Sequence, residues 1–246
     1  MKPYSKALLS VFFALAFSLG GAAQKPEAYL KTEEIPDAVR FLPGPPAPGT
    51  IEFQRDSALH FQAKALREGE RGERAVREAT SNVEKMAAMF SGAFGMELSK
   101  EKTPRILHLL DRSVQTFRKG VAIPKNTYLR KRPYVYFNEG TLIPWSEMGS
   151  RNSGSYPSGH TVRGWGMALV LAQLNPERQD TLLRAGYEWG QSRVIAGYHW
   201  QSDIDAARLV ASATFARLQA CPEYLQDFAA ARQEWLAILE EERKSE

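Results

Sequence analysis

The recurrence of apolar residues at intervals of three and four, sustained over most of the chain beyond residue 50, constrains the fold more than any other feature. This spacing places apolar side chains on one face of a helix, whereas a half-buried strand requires strict alternation. The one alternating piece, Tyr134 to Phe137, is too short to found a sheet. The sequence therefore predicts an all-α fold, a single-domain helical bundle.

Periodicity and end signals locate the first helices. One is expected over residues 53–68, and Thr103-Pro104 predicts another start, because it combines a capping residue with a proline in the first turn. A helix ending near Gly92 or Gly95 is predicted between them. Its apolar face would consist of Val76, Ala79, Val83, Met86, Ala87 and Phe90.

The second half of the chain predicts four more helices, over residues 159–173, 176–197, 203–219 and 222–243. The segment Val162 to Ala172 is apolar nearly all round, as expected for a helix at the centre of a bundle. Before these helices, residues 120–158 contain four prolines and lack helical periodicity. A structureless segment of this length within a domain is uncommon and is usually functional.

The first 23 residues are typical of a secretory signal peptide. Lys2 and Lys6 give a positive start, Ala7 to Leu19 an apolar stretch, and Gly21-Ala22-Ala23 a cleavage site before Gln24. The apolar stretch is shorter than the ~20 residues of a membrane span. Export to the periplasm is therefore expected, with no membrane span after removal of the signal.

Residues 24–50 are rich in proline and glycine and predict an extended N-terminal arm over the surface of a helical domain spanning 51–246. Cys221 is the single cysteine, so an internal disulfide is excluded, and a small residue at a helix end is the expected role. The formal net charge is +4, and two of the lysines lie in the signal. This balance is too small to indicate a nucleic-acid partner.

His160 stands where the proline-rich segment meets the apolar helix, in the sequence Pro157-Ser158-Gly159-His160. Free backbone N–H groups at a helix start, the Ser158 hydroxyl and the close approach that Gly159 allows are suited to an anion. Taken alone, the fragment fits an ordinary turn and cap equally well.

His199 lies four residues before Asp203, a spacing that would place both on one helix face. The carboxylate would then fix the imidazole tautomer and leave the other nitrogen free as a nucleophile. A surface His–Asp pair is the simpler alternative. His60 and His108 are expected to be structural or solvated, and the histidines show no metal-ligand spacing.

The charged residues Lys125, Arg132 and Arg193 complete three separated motifs. These are Lys125-x6-Arg132-Pro133, Pro157-Ser158-Gly159-His160 and Ser192-Arg193-x5-His199-x3-Asp203. Together they resemble the signature of the acid phosphatase superfamily, which includes type 2 phosphatidic acid phosphatases, vanadium haloperoxidases and bacterial non-specific acid phosphatases. Residues 154–161 and 197–203 are most similar to class A of the bacterial enzymes.

The resemblance implies a phosphoric monoester hydrolase with small phosphate monoesters as substrates and neither a metal nor another cofactor. It assigns His199 as a nucleophile that forms a phosphohistidine, Asp203 as the residue that orients it, and His160 as general acid and then base. The phosphate would be bound by Lys125, Arg132, Ser158, Gly159 and Arg193. Phosphotransfer to alcohols is an expected side reaction, and a homo-oligomer is the expected assembly.

Three other functions fit parts of the pattern. A vanadium-dependent haloperoxidase uses a similar anion pocket but carries large extra helical regions, and a lipid phosphatase of this superfamily spans the membrane. A non-enzymatic phosphate-binding protein is the third. Substrate selectivity is expected from residues 141–156, where Trp145 is predicted to be a buried anchor, with stacking of Trp145 or Tyr156 on an aromatic leaving group as the alternative.

Overall fold

A computed structural model of the chain describes residues 27–245, so the predicted signal peptide and its cleavage site lie outside the described residues. This part contains helices and connecting turns and no β-strand, which confirms the predicted all-α fold. The helices are α1 Ala38–Phe41, α2 Ile51–Lys64, α3 Glu70–Arg77, α4 Val83–Phe94, α5 Pro104–Lys119, α6 Ala122–Tyr128, α7 Pro133–Tyr136, α8 Glu147–Ser150, α9 Gly159–Leu174, α10 Gln179–Ile195, α11 Gln201–Leu218 and α12 Pro222–Ser245, with 3₁₀ turns at Thr32–Glu34, Pro144–Ser146 and Pro176–Arg178.

Helix α9 lies at the centre of the bundle, as its apolar composition predicts, and packs against α5, α10 and α11. Two glycines allow the close approach of its neighbours. A Cβ on Gly166 would lie 2.3 Å from Cδ2 of Phe117 on α5, and one on Gly164 would lie 2.2 Å from Cδ1 of Trp189 on α10. Any larger residue at either position would overpack the core.

The predicted second helix is two helices, so a single helix there is wrong. Helix α3 ends at Arg77, and α4 starts after Asn82, whose side chain accepts a hydrogen bond from the Lys85 N–H (2.9 Å). Val76 and Ala79 pack on a small cluster near Tyr198, whereas the apolar residues of α4 join the main core. The Asn82 cap thus starts a new helix, so the apolar residues of α3 and α4 belong to two helix faces, although their spacing alone predicts one.

The segment 120–158 is not structureless, which corrects the interpretation from its prolines. It holds α6, α7, α8 and a 3₁₀ turn, and the alternating piece beginning at Tyr134 belongs to α7 instead of a strand. Pro124, Pro133 and Pro144 each lie in the first turn of one of these helices. A fixed φ and a missing N–H are compatible with a first turn, so these prolines start helices.

The arm is tied to the bundle over the residues that are described, 27–50. The Tyr29 N–H donates to Thr116 Oγ1 (2.9 Å), and the Tyr29 hydroxyl donates to Asp227 on α12 (2.8 Å). Cys221 is buried between α11 and α12 and carries a free thiol. The division of the chain at residues 23 and 50 stays a prediction.

Candidate active site

One end of α9 opens into a cavity of about 580 Å³ that gathers most of the predicted site residues. Lys125, Arg132, Gly159, His160, Arg193 and His199 all line it. Ser158 and Asp203 do not line it: both are fully buried behind this wall. The site is thus assembled from α6, the α6–α7 connection and the start of α9, together with the end of α10 and the approach to α11.

His199 and Asp203 are in contact, although not as two positions on one helix. His199 precedes α11, which begins at Gln201, and its Nδ1 lies 3.2 Å from Oδ2 of Asp203. The same oxygen accepts a hydrogen bond from the Trp200 N–H (2.9 Å). Asp203 therefore secures the first turn of the helix and the imidazole together.

The contacts of His199 define its tautomer. Arg132 NH1 lies 3.2 Å from Nε2, and a guanidinium has no acceptor, so Nε2 must be the unprotonated nitrogen. Nδ1 then carries the proton and donates a hydrogen bond to Asp203. Burial, aided by the charge of Arg132 and opposed by the Asp203 hydrogen bond, lowers the pKa of His199 to about 3. The imidazole is neutral, and its Nε2 lone pair accepts the Arg132 hydrogen bond at the wall of the cavity.

Sequence reasoning missed the support behind Asp203. Its Oδ1 accepts a hydrogen bond from Arg130 (2.6 Å), and Arg130 also donates to Asp56 on α2 (2.7 Å). Asp56 in turn accepts from the N–H and hydroxyl of Ser202. Burial raises the pKa of Asp203, but the charge of Arg130, the hydrogen bond and charge of His199 and the Trp200 N–H together outweigh this effect and lower the pKa to about 2. Arg130 lies two residues before Arg132, yet nothing in the sequence distinguishes this arginine from a solvated one.

The three predicted phosphate-binding cations differ in how they are held. Arg132 donates to the Ser150 carbonyl (2.9 Å), and Lys125 Nζ donates to the Gly154 carbonyl (2.6 Å). Burial first, and then the charge of Arg132, lower the pKa of Lys125 to about 7. Arg193 lies over the Tyr198 ring (4.7 Å), while its Nε and one terminal nitrogen are buried without a hydrogen-bond partner. A buried guanidinium with unused donors is suited to an anion.

His160 is held by stacking. Its ring stacks on Trp189 with the ring centroids 5.2 Å apart, and Nε2 is buried, which leaves Nδ1 as the nitrogen able to exchange a proton. Arg163 NH2 lies 3.5 Å from Nδ1. Burial, followed by the charges of Arg193 and Arg163, lowers the pKa of His160 well below its ordinary value.

Ser158 and Gly159 take different places at the start of α9. Ser158 is the capping residue, and its Oγ accepts hydrogen bonds from the Thr161 N–H (3.2 Å) and the Thr161 hydroxyl (2.9 Å). Only its hydroxyl hydrogen is left for another partner. Gly159 faces the cavity, and a Cβ there would meet Lys125 and Val121 at 3.6 Å, an ordinary contact. Space inside the protein therefore does not require glycine here.

The two aromatic residues named for selectivity do not behave as expected. Trp145 is 73% exposed, so its prediction as a buried anchor is wrong. It lies in a 3₁₀ turn at the surface, where its neighbour Ser146 lines the cavity. Tyr156 is buried, donates to the Pro43 carbonyl (2.7 Å) and does not line the cavity. It anchors the arm and cannot stack on a leaving group.

The other two histidines lie outside the cavity. His60 is buried, stacked on Phe137 and bonded to Glu139 (2.5 Å), and His108 is half exposed beside Asp227. Within residues 27–245, no three His, Cys, Asp or Glu side chains come together as a group able to hold a metal ion. None of the helices in the same range is both long and apolar enough to span a membrane.

The fold and this site define a protein of the PAP2 superfamily, whose family model matches residues 113–227. The chain is 40% identical to a non-specific acid phosphatase of Providencia stuartii, over 95% of this chain and 99% of that protein. It is 37% identical to a non-specific acid phosphatase of Salmonella typhimurium over 92% and 91% of the two chains, and 31% identical to an acid phosphatase of Zymomonas mobilis over 80% and 75%. The chain belongs to the class A non-specific acid phosphatases.

Proposed function

We propose that this chain is a periplasmic acid phosphatase that hydrolyses a broad range of phosphate monoesters through a phosphohistidine on His199, without a metal ion. The arrangement of His199 carries the proposal. Its Nδ1 is engaged by Asp203, and its unprotonated Nε2, which accepts from Arg132, lies in a cavity that is also lined by His160 and the three predicted phosphate-binding cations. The names of the relatives support the reaction class.

Positive charge in the cavity binds the transferring group. A phosphate monoester carries nearly two negative charges, and its transfer depends on positioning and on stabilising the equatorial oxygens. Arg193 offers two unused nitrogens, and Arg132 already points at the attacking atom. Lys125, with its pKa near 7, is a full cation only on the acidic side of neutrality, which favours an acidic optimum.

In the first step Arg132 exchanges its hydrogen bond with Nε2 of His199 for one with a phosphoryl oxygen. The released Nε2 lone pair attacks phosphorus, a P–N bond forms and the P–O bond to the leaving group breaks. Asp203 stabilises the positive charge that develops on the imidazole. His160 Nδ1 gives its proton to the leaving oxygen. That proton requires the bound dianion, because in the free enzyme burial and two arginines keep the pKa of His160 low.

In the second step His160 accepts a proton from a water molecule, whose oxygen attacks phosphorus on the side that the leaving group vacated. The P–N bond breaks, phosphate is released, and His199 recovers its lone pair. An alcohol in place of water would give phosphotransfer. Because the leaving alcohol and the attacking water occupy the same region, one histidine serves as acid and then as base.

The arrangement of the rest of the chain is part of the proposal. A signal peptide at residues 1–23 exports the protein, residues 24–50 form an arm, and residues 51–246 form the catalytic domain, which assembles as a homo-oligomer. The described part of the arm is fixed by buried contacts of Tyr29 and Tyr156. Those contacts support an arm that folds with the domain after cleavage.

The decisive experiment traps the intermediate. The enzyme is mixed with phosphorus-labelled phenyl phosphate in the presence of EDTA and quenched in base, in which phosphohistidine survives. We expect label on His199, none in the His199→Ala variant, and wild-type labelling in His108→Ala, since His108 lies outside the cavity. Turnover by His199→Ala, or turnover of the wild type without histidine label, would reject the mechanism, and loss of activity in EDTA would reject metal independence.

A further inference from the structure

Two arginines outside the three motifs line the same cavity. Arg163 is on α9, one turn after His160, and Arg118 is near the end of α5. The Arg163 Nε donates to the Gly159 carbonyl (3.0 Å), and neither arginine forms an ion pair with a carboxylate among residues 27–245. Within the described part of the chain, no Asp or Glu lines the cavity, and its lining there includes five cationic side chains and two neutral histidines.

The packing of α5 against α9 brings these two charges together. The contact of Gly166 with Phe117 leaves no room for a Cβ, and Arg118 directly follows Phe117. Arg163 lies one turn before Gly166 on the facing helix. Burial, and then the charge of Arg118, lower the pKa of Arg163 to about 10. Two like charges held close together without a counter-ion favour an anion between them.

Arg163 lies on the side of the cavity from which the leaving group departs. Its NH2 is 3.5 Å from His160 Nδ1, the atom that gives a proton to the leaving oxygen under the proposed function. His199 and Arg132 lie together at the attacking nitrogen, and attacking and leaving groups are roughly in line in phosphoryl transfer. Arg163 and Arg118 therefore face the leaving group instead of the phosphorus.

We propose that Arg163 and Arg118 form a second anion subsite that binds a phosphate on the leaving group, so that small bisphosphorylated molecules are the preferred substrates. This inference rests on the proposed function and adds the substrate class to it. Lys125, Arg132 and Arg193 suffice for the charge of one phosphoryl group, and the two further arginines match a second one. A cavity of about 580 Å³ has room for a small molecule bearing both groups.

A matched pair of substrates tests the subsite. In 4-(phosphonomethyl)phenyl phosphate only the ester can be cleaved, and 4-methylphenyl phosphate has a similar leaving group without the second anion. We expect the wild type to favour the phosphonate in kcat/KM by about ten- to a hundredfold, the range for charge-assisted hydrogen bonds. Equal kcat/KM for the two substrates would overturn the subsite, and this readout needs no variant.

Variants locate the effect. Arg163→Gln is expected to reduce the preference about tenfold and Arg118→Gln to reduce it less, because Arg118 is more exposed. Arg163→Lys retains the charge and should keep most of the preference. Arg184→Gln, an exposed change of equal charge on α10, should leave the ratio at the wild-type value. A ratio that is unchanged in Arg163→Gln, or that falls equally in Arg184→Gln, would reject a local site.

The two proposals fail in different ways. If the wild type hydrolyses both substrates at equal efficiency, the second anion subsite is wrong and the proposed phosphatase stands. If it hydrolyses neither, the proposed function fails, and the subsite fails with it. A preference for the phosphonate that disappears in the Arg163→Gln variant supports both.

Discussion

At the scale of single residues, Arg193 is expected to lower the stability of the fold while it serves the proposed function. Its guanidinium is buried with two nitrogens unpaired, and burial and the charge of Arg132 lower its pKa to about 10. We expect Arg193→Met to raise the free energy of unfolding by about 1–3 kcal/mol, because each unsatisfied buried donor costs on that order. Under the proposed function Arg193 stabilises the transferring phosphoryl group, so its removal should lower kcat/KM about 10²- to 10³-fold.

Thermal melting and steady-state kinetics on the same preparation check this trade-off. Lys131→Met serves as the control, because it also replaces a positive charge by methionine but at an exposed position. It should change neither the melting temperature nor kcat/KM much. A variant at Arg193 that is less stable than the wild type would show that its pairing with the Tyr198 ring outweighs the unused donors.

Single residues also mark how far sequence can identify the site. The meeting of His160 and His199 at one cavity was predictable, because motifs with fixed spacing contain both side chains. Arg130 and Asp56 are not, since their role depends on a contact across 74 positions of the chain. The prediction that Trp145 is buried fails for a related reason. Nothing in the local sequence indicates whether the turn that contains Trp145 faces the core.

At the scale of elements, the junction of α9 and α10 positions His160, the proposed general acid. Gly164 permits Trp189 to lie against α9, and the indole then stacks on His160. Gly164→Ala would place a Cβ 2.2 Å from Trp189 Cδ1. We expect a loss of about 1–3 kcal/mol in stability from overpacking, with a fall in kcat that is larger for alkyl than for aryl phosphates.

The chain offers a matched control for that experiment. Gly92 is also inside a helix, and a Cβ there would have no atom within 4 Å. Gly92→Ala should raise stability by about 0.5–1 kcal/mol and leave kcat unchanged, because alanine restricts the unfolded chain. If kcat falls equally for alkyl and aryl phosphates in Gly164→Ala, the stacking of Trp189 does not support His160 as an acid.

Helices were predictable from the sequence where their apolar residues pack against a single core. The helices from residue 159 onward, α9 to α12, all contribute apolar residues to the main core, and their predicted bounds are close to those observed. The rule fails at α3 and α4, which face two apolar clusters across the Asn82 cap. It fails again between residues 120 and 158, because helices of four to seven residues are too short to show a period.

At the scale of the whole molecule, buried histidines link stability to pH. Burial lowers the pKa of His60, His160 and His199 in the folded chain, whereas the unfolded chain titrates near the ordinary value of about 6.5. Below that pH the unfolded state binds more protons, so the free energy of unfolding falls as the pH falls. The contribution of His199 is lost progressively down to its folded pKa of about 3.

We therefore expect the melting temperature to be lower at pH 4.5 than at pH 7, since a histidine that stays neutral costs up to about 2.7 kcal/mol over the two units below 6.5. His160→Gln should reduce this dependence, because glutamine has no proton to exclude. Inorganic phosphate should also reduce it in the wild type, because a bound anion lets His160 hold its proton at acidic pH. A wild-type melting temperature that is the same at pH 7 and pH 4.5 would contradict the link between buried histidines and pH. A fall in melting temperature that phosphate does not reduce would contradict the proposal that a bound anion allows His160 to be protonated.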